Sequence, residues 1–419
     1  MPPTVELLIT HLAQFATPYG KSARSGVAQG KTRTVNDAAI AVRDGKIVFA
    51  GPQMKLPKGL KAKREVDGRG LSALPAFIDA HTHLPFMGGR REEFFRRLRG
   101  ETYLQIAQAG GGIVNSVRAV RESSQREIEA AVAKRLRIYR DLGVLTVEAK
   151  SGYGLNGAAE LKQLRALQKF RAGGVGALKI GVEVVPSFMG AHAVPKEWKH
   201  DRTEFLRQVI EEMIPAVATE GLAEFCDIFC DLTAFTPAES LAVAKAAQRY
   251  GLKLKIHVDE LADGGGAALA AKLRAVSAEH LIHASPAGLR ALAKAGTVAV
   301  LLPGTSFFLR EPYAPARDFI AAGVPVALAT DCNPGSARSE NLHAVMMLAV
   351  MNMKISPEEA LTAVTLNGAA ALSRAQSLGS LESGKQADII LLGTDDWRDL
   401  FYHWGVNPVV KRFKAGTEI

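Results

Sequence analysis

The middle of the chain alternates short apolar runs with longer stretches of helical periodicity. Segments such as SQREIEAAVAKRLRIYRDLG repeat apolar residues every three or four positions, as a helix packed on a core requires. The apolar runs have the length of buried strands, and they lie at 74–81, 144–150, 178–186, 224–231, 252–258, 275–283, 297–303 and 324–331. Eight β-then-α units in succession predict a closed parallel (β/α)8 barrel.

Both ends of the chain have the pattern of β-structure instead. Near the N-terminus, VELLIT is predicted to be a short strand, and AAIAVRDGKIVFAG contains two strands joined by Asp44-Gly45, a dipeptide that favours a tight hairpin turn. Near the C-terminus, LGSLESGKQADIILLG and NPVVKRFKAG return to this pattern. We therefore expect an α/β protein with a TIM-type barrel over residues 73–372. A small β-sandwich domain would combine residues 1–72 and 373–419.

Composition narrows the class of protein further. The 419 residues are 47% hydrophobic and 22% charged, as in globular proteins with a large core. The net charge is +10, but basic residues interleave with acidic ones and no nucleic-acid-binding module is evident, so we expect no nucleic-acid partner. Membrane-spanning runs and signal-peptide features are also missing from the sequence. With only three cysteines, Cys226, Cys230 and Cys332, the chain is expected to be a reduced, cytoplasmic protein.

The stretch FIDAHTHLPF places His81 and His83 two residues apart where the first predicted strand ends. Residues two apart on a strand point to the same side, so both imidazoles can reach one metal ion. His257 ends the fifth predicted strand and Asp331 ends the eighth. Each of these residues alone is also explained as a polar residue at a strand end. Because the carboxyl ends of all barrel strands meet at one face, the four together predict a catalytic metal site with three imidazoles and one carboxylate.

Other groups near the same strand ends suit proton transfer. Glu260 lies three residues after His257, so its carboxylate can reach a water while the imidazole binds the metal ion. His280 can hydrogen-bond that water or a developing oxyanion, whereas His283 in the same strand has the opposite parity. Lys150, at the end of the second strand, would bridge a second metal ion only if it were carbamylated. No further ligand pair accompanies it, so one metal ion is expected.

These motifs, with β segments at both ends, resemble the amidohydrolase superfamily. Longer stretches resemble the imidazolonepropionases within it, across essentially the whole chain: HTHLPFMGGRREEF, ETYLQIAQAGGGI, VEAKSGYGL, FMGAHAVP, KIHVDEL, LLPGTSFFLRE and ATDCNPGS. The resemblance implies hydrolysis of the cyclic amide of 4-imidazolone-5-propanoate to N-formimidoyl-L-glutamate in histidine degradation. It also implies one zinc or iron ion per subunit, a small-molecule substrate and a homodimer.

The resemblance further implies a role for individual residues. Arg90 would pair with the substrate's propionate, although the adjacent Arg91 leaves that choice open. Met87 and Cys332 differ from the glycine and phenylalanine expected there, which affects the shape of loops rather than the ligand set. The implied metal ligands are His81, His83, His257 and Asp331; the catalytic residues are Glu260, His280 and Asp331; the other substrate-binding residues are Tyr103, Tyr153, His192, Asn333, Gly335 and Ser336.

Two other functions fit the same sequence features. A deaminase of a nucleobase-like heterocycle on the same scaffold would also use HxxE and a histidine on the sixth strand, and it would release ammonia. A barrel that has lost catalysis and serves as a binding protein is the second alternative. Such a protein would be expected to lack metal ligands, and all four predicted ligands are present.

Overall fold

The computed structural model describes residues 4–101, 105, 111–173, 180–232 and 234–419. Within these residues the strands form two sheets of eight strands each. In chain order the strands are β1 Thr4–Thr17, β2 Arg33–Arg43, β3 Lys46–Pro52, β4 Lys61–Asp67, β5 Ser72–Pro75, β6 Phe77–Asp79, β7 Val144–Lys150, β8 Glu183–Ala191, β9 Phe225–Cys230, β10 Lys253–Val258, β11 Ser277–His280, β12 Val298–Leu301, β13 Val326–Leu328, β14 Ile389–Leu392, β15 Val409–Lys414 and β16 Thr417–Glu418.

Strands β6 to β13 are the first to eighth strands of a parallel barrel, and each pairs with its neighbour in sequence order. This confirms the predicted (β/α)8 class. The barrel closes at the carboxyl ends of its strands, where Thr82 and Cys332 form a parallel bridge. The backbone N–H of Asp331 donates to His81 O over 3.0 Å, and the N–H of His83 donates to Cys332 O over 3.0 Å. This closure brings the residues after the first and eighth strands together.

Helices follow the barrel strands and cover the barrel with their apolar faces. Thr236 shows how one of them begins: it caps the helix after the fourth strand and forms a capping box with Glu239, and Pro237 occupies the first turn. A π-helical segment, Val209–Met213, joins two of the helices. The described helices are α1 Arg91–Leu98, α2 Ile113–Glu122, α3 Gln125–Asp141, α4 Gly157–Gln168, α5 Arg202–Gln208, α6 Ile214–Thr219, α7 Pro237–Arg249, α8 Gly266–Lys272, α9 Pro286–Ala295, α10 Pro303–Leu309, α11 Ala316–Ala321, α12 Leu342–Met353, α13 Pro357–Ala363, α14 Leu366–Ala371 and α15 Asp399–Tyr402.

The terminal segments form the second sheet, in which β14 from the C-terminal part pairs with β5 from the N-terminal part. One apolar cluster contains residues of both parts, including Phe15, Ile40, Ile389 and Phe413. The hairpin at Asp44-Gly45 is confirmed, since β2 and β3 are antiparallel on either side of it. Both turn residues have positive φ, 52° and 69°, as a tight hairpin turn of this kind requires.

Several strand boundaries differ from the sequence prediction, and three of these differences affect the fold. VELLIT lies in a strand as predicted, but the strand is longer: β1 continues to Thr17 past an irregularity at His11, whose φ is 56°. The predicted first barrel strand at 74–81 is two strands: Ser72–Pro75 pairs in the terminal sheet, and the barrel begins at Phe77. The change between the two sheets therefore falls at Ala76 rather than at residue 73.

The third barrel strand was also placed too early. It was predicted at 178–186, whereas β8 runs over Glu183–Ala191. Residues 178 and 179 lie outside the described residues. Gly181 has a φ of 84° and its N–H donates to Gly173 O, so the chain bends at Gly181 before the strand begins. The later strand places FMGAHAVP at the carboxyl end of the barrel, where the other candidate residues lie.

The sequence also led to expectations about the cysteines and about membrane-spanning segments, and both can be compared with the described residue ranges. All three cysteines are buried and free of disulfides. Among the helices in these ranges, none combines the length and apolar character that a membrane crossing needs.

Candidate active site

The four predicted metal ligands meet at the carboxyl end of the barrel. His81 and His83 follow the first strand, His257 lies in the fifth, and Asp331 follows the eighth. One nitrogen from each of the three imidazoles lies within 4.8 Å of the others. Asp331 Oδ1 is 3.4 Å from His81 Nε2 and 3.5 Å from His83 Nε2. Each of the four residues is at most 3% exposed, so these polar atoms are held together away from solvent.

The chemistry of this donor set fits a metal ion. Nε2 of His81 and Nε2 of His257 are buried without a hydrogen-bond partner, which is costly for polar atoms unless another group binds them. Ligand atoms about 2.1 Å from one tetrahedral ion lie about 3.4 Å apart, which matches the two contacts of Asp331. Burial and the nearby His81 lower the pKa of His257 well below its usual value, so this imidazole is neutral. At His81, burial is outweighed by Asp331 and Glu279, which raise the pKa of this imidazole to about 9, so it must give up its proton when a metal ion binds.

An unusual backbone conformation directs the side chains of Asp331 and His280 into the site. Asp331 has a φ of 53° and His280 a φ of 70°, a left-handed conformation that residues other than glycine seldom adopt. Thr305, in the first turn of α10, donates its hydroxyl to Asp331 Oδ2 over 2.7 Å. One carboxylate oxygen is therefore fixed by Thr305, and the other faces the histidines. The sequence prediction did not include Thr305.

Glu260 and His280 lie beside the ligand cluster. His280 is only 3% exposed, and its Nδ1 is 3.6 Å from Glu260 Oε1. The alternative His283 is exposed. The loop that carries Glu260 is anchored by Asp231 Oδ2, which accepts from the Glu260 N–H over 3.0 Å. Burial, with Asp331 and Asp231 nearby, raises the pKa of Glu260 to about 8. A carboxyl group with such a pKa can both accept and return a proton near neutral pH.

Comparisons with known proteins identify the family of the chain. Residues 72–419 match the model of the Amidohydrolase family. Imidazolonepropionase of Caldanaerobacter subterraneus subsp. tengcongensis is 44% identical over 98% of this chain and 97% of the relative's length. The Shouchella clausii imidazolonepropionase is 45% identical over 98% and 92%. The chain belongs to the imidazolonepropionase family of amidohydrolases.

A solved structure of similar fold is that of a zinc-bound adenosine deaminase from Xanthomonas campestris. It has a TM-score of 0.73, covers 100% of this chain and 93% of its own, and is 19% identical in sequence. At this level of identity the likeness concerns the fold alone. Because the chain belongs to the imidazolonepropionase family, the residues around His81, His83, His257 and Asp331 are candidates for substrate binding.

Arg90 points towards the loop after the eighth strand. Its guanidinium lies against the Cα of Gly335, where a Cβ atom would have no room, and its Nε donates to Glu93 Oε2 over 2.7 Å. The Arg90 side chain is 15% exposed, whereas Arg91 is an exposed residue at the start of α1. Among the two arginines, the geometry therefore favours Arg90 as the group that faces the site.

Tyr153 and His192 form one side of the site with His83. The His192 ring stacks on His83 with centroids 5.4 Å apart, and Tyr153 packs edge-on against both. His192 Nδ1 lies 2.7 Å from Gly152 O, so this nitrogen carries the proton and Nε2 is left as an acceptor. Gly152 has a φ of 107°, and a Cβ there would press on His192, which explains the glycine in this turn.

Asn333, which was predicted to bind substrate, is hydrogen-bonded within its own loop. Its Oδ1 accepts the N–H groups of Gly335 and Ser336, and its Nδ2 donates to Ser336 Oγ over 2.8 Å. The amide therefore shapes the loop and presents Gly335 and Ser336. Tyr103, the remaining substrate-binding candidate, lies outside the described residues.

Met87 and Cys332, where the resemblance implied glycine and phenylalanine, both pack within the structure. Cys332 is completely buried, and its backbone takes part in closing the barrel. Met87 packs, partly buried, against the barrel core. Both residues therefore influence the shape of the loops that follow the first and eighth strands.

The carboxylates around Lys150 favour an ammonium group at this position. Burial opposes a charge on Lys150, but Asp227, Glu148 and Glu279 outweigh burial and raise the pKa of the ammonium above its ordinary value. Carbamylation requires a neutral amine. The described side chains around Lys150 therefore favour a protonated lysine in three ion pairs over a bridge between two metal ions.

Replacing Thr305 with valine is expected to weaken metal binding about 10-fold, the lower end of the range for loss of a group that orients a ligand. Valine keeps the shape of threonine but cannot donate to Asp331 Oδ2. The metal dissociation constant, measured by competition with a chromophoric chelator, tests this. Thr305→Ser keeps the hydroxyl and should bind like the wild type; equal weakening in both variants would contradict the role of the hydroxyl.

Proposed function

We propose that the chain is an imidazolonepropionase that hydrolyses the cyclic amide of 4-imidazolone-5-propanoate to N-formimidoyl-L-glutamate, a step in histidine degradation. The observation that supports this best is the meeting of His81, His83, His257 and Asp331 at one end of the barrel. Arg90 lies across the same site, against the loop that follows Asp331. A cation beside a hydrolytic metal site suits a small substrate with a carboxylate.

When bound, a zinc or iron ion supplies Lewis acidity that polarises the ring carbonyl and acidifies a water molecule. Asp331 and Glu260 accept the proton of that water as its oxygen attacks the carbonyl carbon. His280 stabilises the negative charge that develops on the carbonyl oxygen. Glu260 then gives its proton to the ring nitrogen, which leaves as the C–N bond breaks. The chain thus moves one proton from water to the leaving nitrogen.

Substrate recognition is assigned to the residues around this centre. Arg90 would hold the propionate with charge-assisted hydrogen bonds. Tyr153 and His192 would line the ring-binding space beside His83, and the loop of Asn333, Gly335 and Ser336 would cover the opposite side. Tyr103 remains a weaker candidate for the same pocket.

The main experiment measures metal per chain and then follows the loss of imidazolone absorbance with and without a chelator. The proposal expects about one zinc or iron ion per chain, turnover that stops when the ion is removed, and no release of ammonia. Release of ammonia from a heterocycle, with no turnover of imidazolonepropanoate by the metal-replete protein, would instead support a deaminase and overturn the proposal.

The assembly is proposed on the family resemblance, and the location on the three free cysteines. We expect the enzyme to act in the cytoplasm as a homodimer. Analytical ultracentrifugation of the full chain tests the assembly, and a monomer at micromolar concentration would contradict it.

Replacing Arg90 with glutamine is expected to raise KM for imidazolonepropanoate about 10- to 150-fold, since hydrogen bonds to a charged group contribute about 1.5–3 kcal/mol. The turnover number should change much less, because the propionate is remote from the bond that breaks. Glu93 keeps its contacts with the Gly112 N–H and Asn115 in the variant, so helix α1 should remain in place. Steady-state kinetics test this prediction.

Arg91→Gln is the matched control for this substitution. It removes the same charge one residue away, from a side chain on the exposed side of the helix. It should leave KM close to that of the wild type. If Arg91→Gln raised KM as much as Arg90→Gln, the assignment of Arg90 as the partner of the propionate would be wrong.

A further inference from the structure

A layer of charged side chains lies inside the barrel, next to the metal ligands. Four strands contribute Glu148, Lys150, Asp227, Lys255 and Glu279, and each of these residues is fully buried. Three carboxylates face two ammonium groups. Buried charges are costly unless they are paired and hydrogen-bonded, so the arrangement of this layer needs an explanation beyond packing.

Two carboxylates of the layer contact metal-binding histidines through the nitrogen that faces away from the ion. Asp227 Oδ1 is hydrogen-bonded to His257 Nδ1 over 2.9 Å. Glu279 Oε2 lies 3.3 Å from His81 Nδ1, an ion-pair contact without hydrogen-bond geometry. The acceptor at His257 Nδ1 keeps the proton there and directs the lone pair of Nε2 at the metal, and the charge of Glu279 favours the same arrangement at His81.

Lys150 connects the two carboxylates. Its Nζ is 2.7 Å from Asp227 Oδ2 and 3.7 Å from Glu279 Oε2. A third contact, 2.7 Å to Glu148 Oε1, holds the ammonium in the middle of the layer. One buried cation thus attracts the oxygen of Asp227 that His257 does not use, as well as the oxygen of Glu279 that faces His81.

We propose that Lys150 is a positioning residue that holds Asp227 and Glu279 against the Nδ1 atoms of the two metal-binding histidines they contact. It acts on the metal only through these carboxylates and imidazoles. The inference rests on the metal site of the proposed function, and it adds a residue outside the ligand set that determines how tightly the ion is held.

Lys255 is the matched comparison within the same layer. It is buried as completely as Lys150 and also contacts Glu279, but through Oε1, at 3.0 Å. Its other contacts are Ser277 Oγ at 2.6 Å and Ala371 O at 3.4 Å. Removal of either lysine takes one positive charge from the layer, but of the two lysines, both within the described residues, Lys150 is the one that forms an ion pair with Asp227.

The experiment compares zinc binding by the wild type, Lys150→Met and Lys255→Met, using competition with a chromophoric chelator. Lys150→Met should raise the zinc dissociation constant about 10- to 100-fold, the cost of losing a group that orients metal ligands. Lys255→Met should raise it much less, although both variants lose thermal stability. The visible spectrum of the cobalt-substituted protein should change in Lys150→Met, because the imidazoles around the ion are reoriented.

A charge-balanced variant keeps the test valid if Lys150→Met does not fold. Lys150→Met/Glu148→Gln removes one positive and one negative charge together and still deprives Asp227 of its ammonium. It should fold, bind zinc more weakly and show the altered cobalt spectrum. Zinc affinity and a cobalt spectrum like those of the wild type would overturn the inference, as would equal weakening by Lys255→Met. If the wild type itself bound no metal, the proposed function would fail instead.

Discussion

Replacing Glu260 with glutamine is expected to leave metal binding unchanged and to lower kcat about 100- to 10,000-fold, the usual contribution of a general acid–base group. Glutamine has the size of glutamate but cannot take a proton from water or return one to the leaving nitrogen. Glu260 is no metal ligand in the proposed site, and its loop is held through the backbone by Asp231. The loss should therefore appear in kcat and not in metal content.

The matched control is Glu311→Gln. Glu311 is exposed, and its charge contributes to the raised pKa of Glu260, but it touches neither the ligands nor the proposed path of the proton. Its variant should retain kcat within a small factor. Turnover in Glu260→Gln close to that of the wild type, with metal fully bound, would remove Glu260 from the mechanism.

The clustering of the four proposed metal ligands could be predicted from the sequence because barrel geometry relates distant residues. His81, His83, His257 and Asp331 each lie at the end of an apolar run, and parallel strands in a closed barrel have their carboxyl ends on one face. Parity does not account for His280: Glu279 faces the barrel interior, and the left-handed backbone at His280 turns the next side chain towards Glu260 as well. His283 lies beyond the end of the strand and is exposed.

Strand boundaries were harder to predict because an apolar run does not show which sheet it joins. The run at 74–81 serves two sheets, and only hydrogen bonding to β14 assigns Ser72–Pro75 to the terminal one. At the third strand, the apolar residues around Ile180 resemble a strand, but the turn at Gly181 displaces its beginning to Glu183. The first difference arises from tertiary pairing, which local sequence does not encode, and the second from the backbone conformation of one glycine.

The buried charged layer was missed because a charged residue in a strand is usually assigned to the solvent side. A signal was nevertheless present. Lys255 precedes His257 by two positions, so it shares the inward side of the fifth strand, and Glu148 and Lys150 share a side of the second. In a barrel whose strands are covered by helices, charged residues on the same side of a strand as the metal ligands point into the interior. Such residues must form ion pairs with one another. No comparable sequence pattern indicated that Thr305 contacts Asp331.

The second large effect is expected for Asp331→Asn. The substitution removes the one anionic ligand and leaves three neutral imidazoles. Loss of a group that only orients a ligand can weaken metal binding about 100-fold, and loss of the ligand itself should weaken it more. Turnover should fall below detection. Asparagine tolerates the left-handed backbone at this position, and Thr305 can still donate to its carbonyl oxygen. The fold should therefore survive, and metal per chain with steady-state turnover measures the effect.

Asp259→Asn is the matched control, because it makes the same change at a similar site. Asp259 is also buried, also has a positive φ of 50°, and also follows a barrel strand. Its carboxylate accepts from the N–H groups of Gly264, Gly266 and Ala267 and does not face the ligands. Asp259→Asn should cost about 1–3 kcal/mol of stability and keep its metal. If Asp331→Asn retained metal as well as Asp259→Asn does, the carboxylate would not be a ligand.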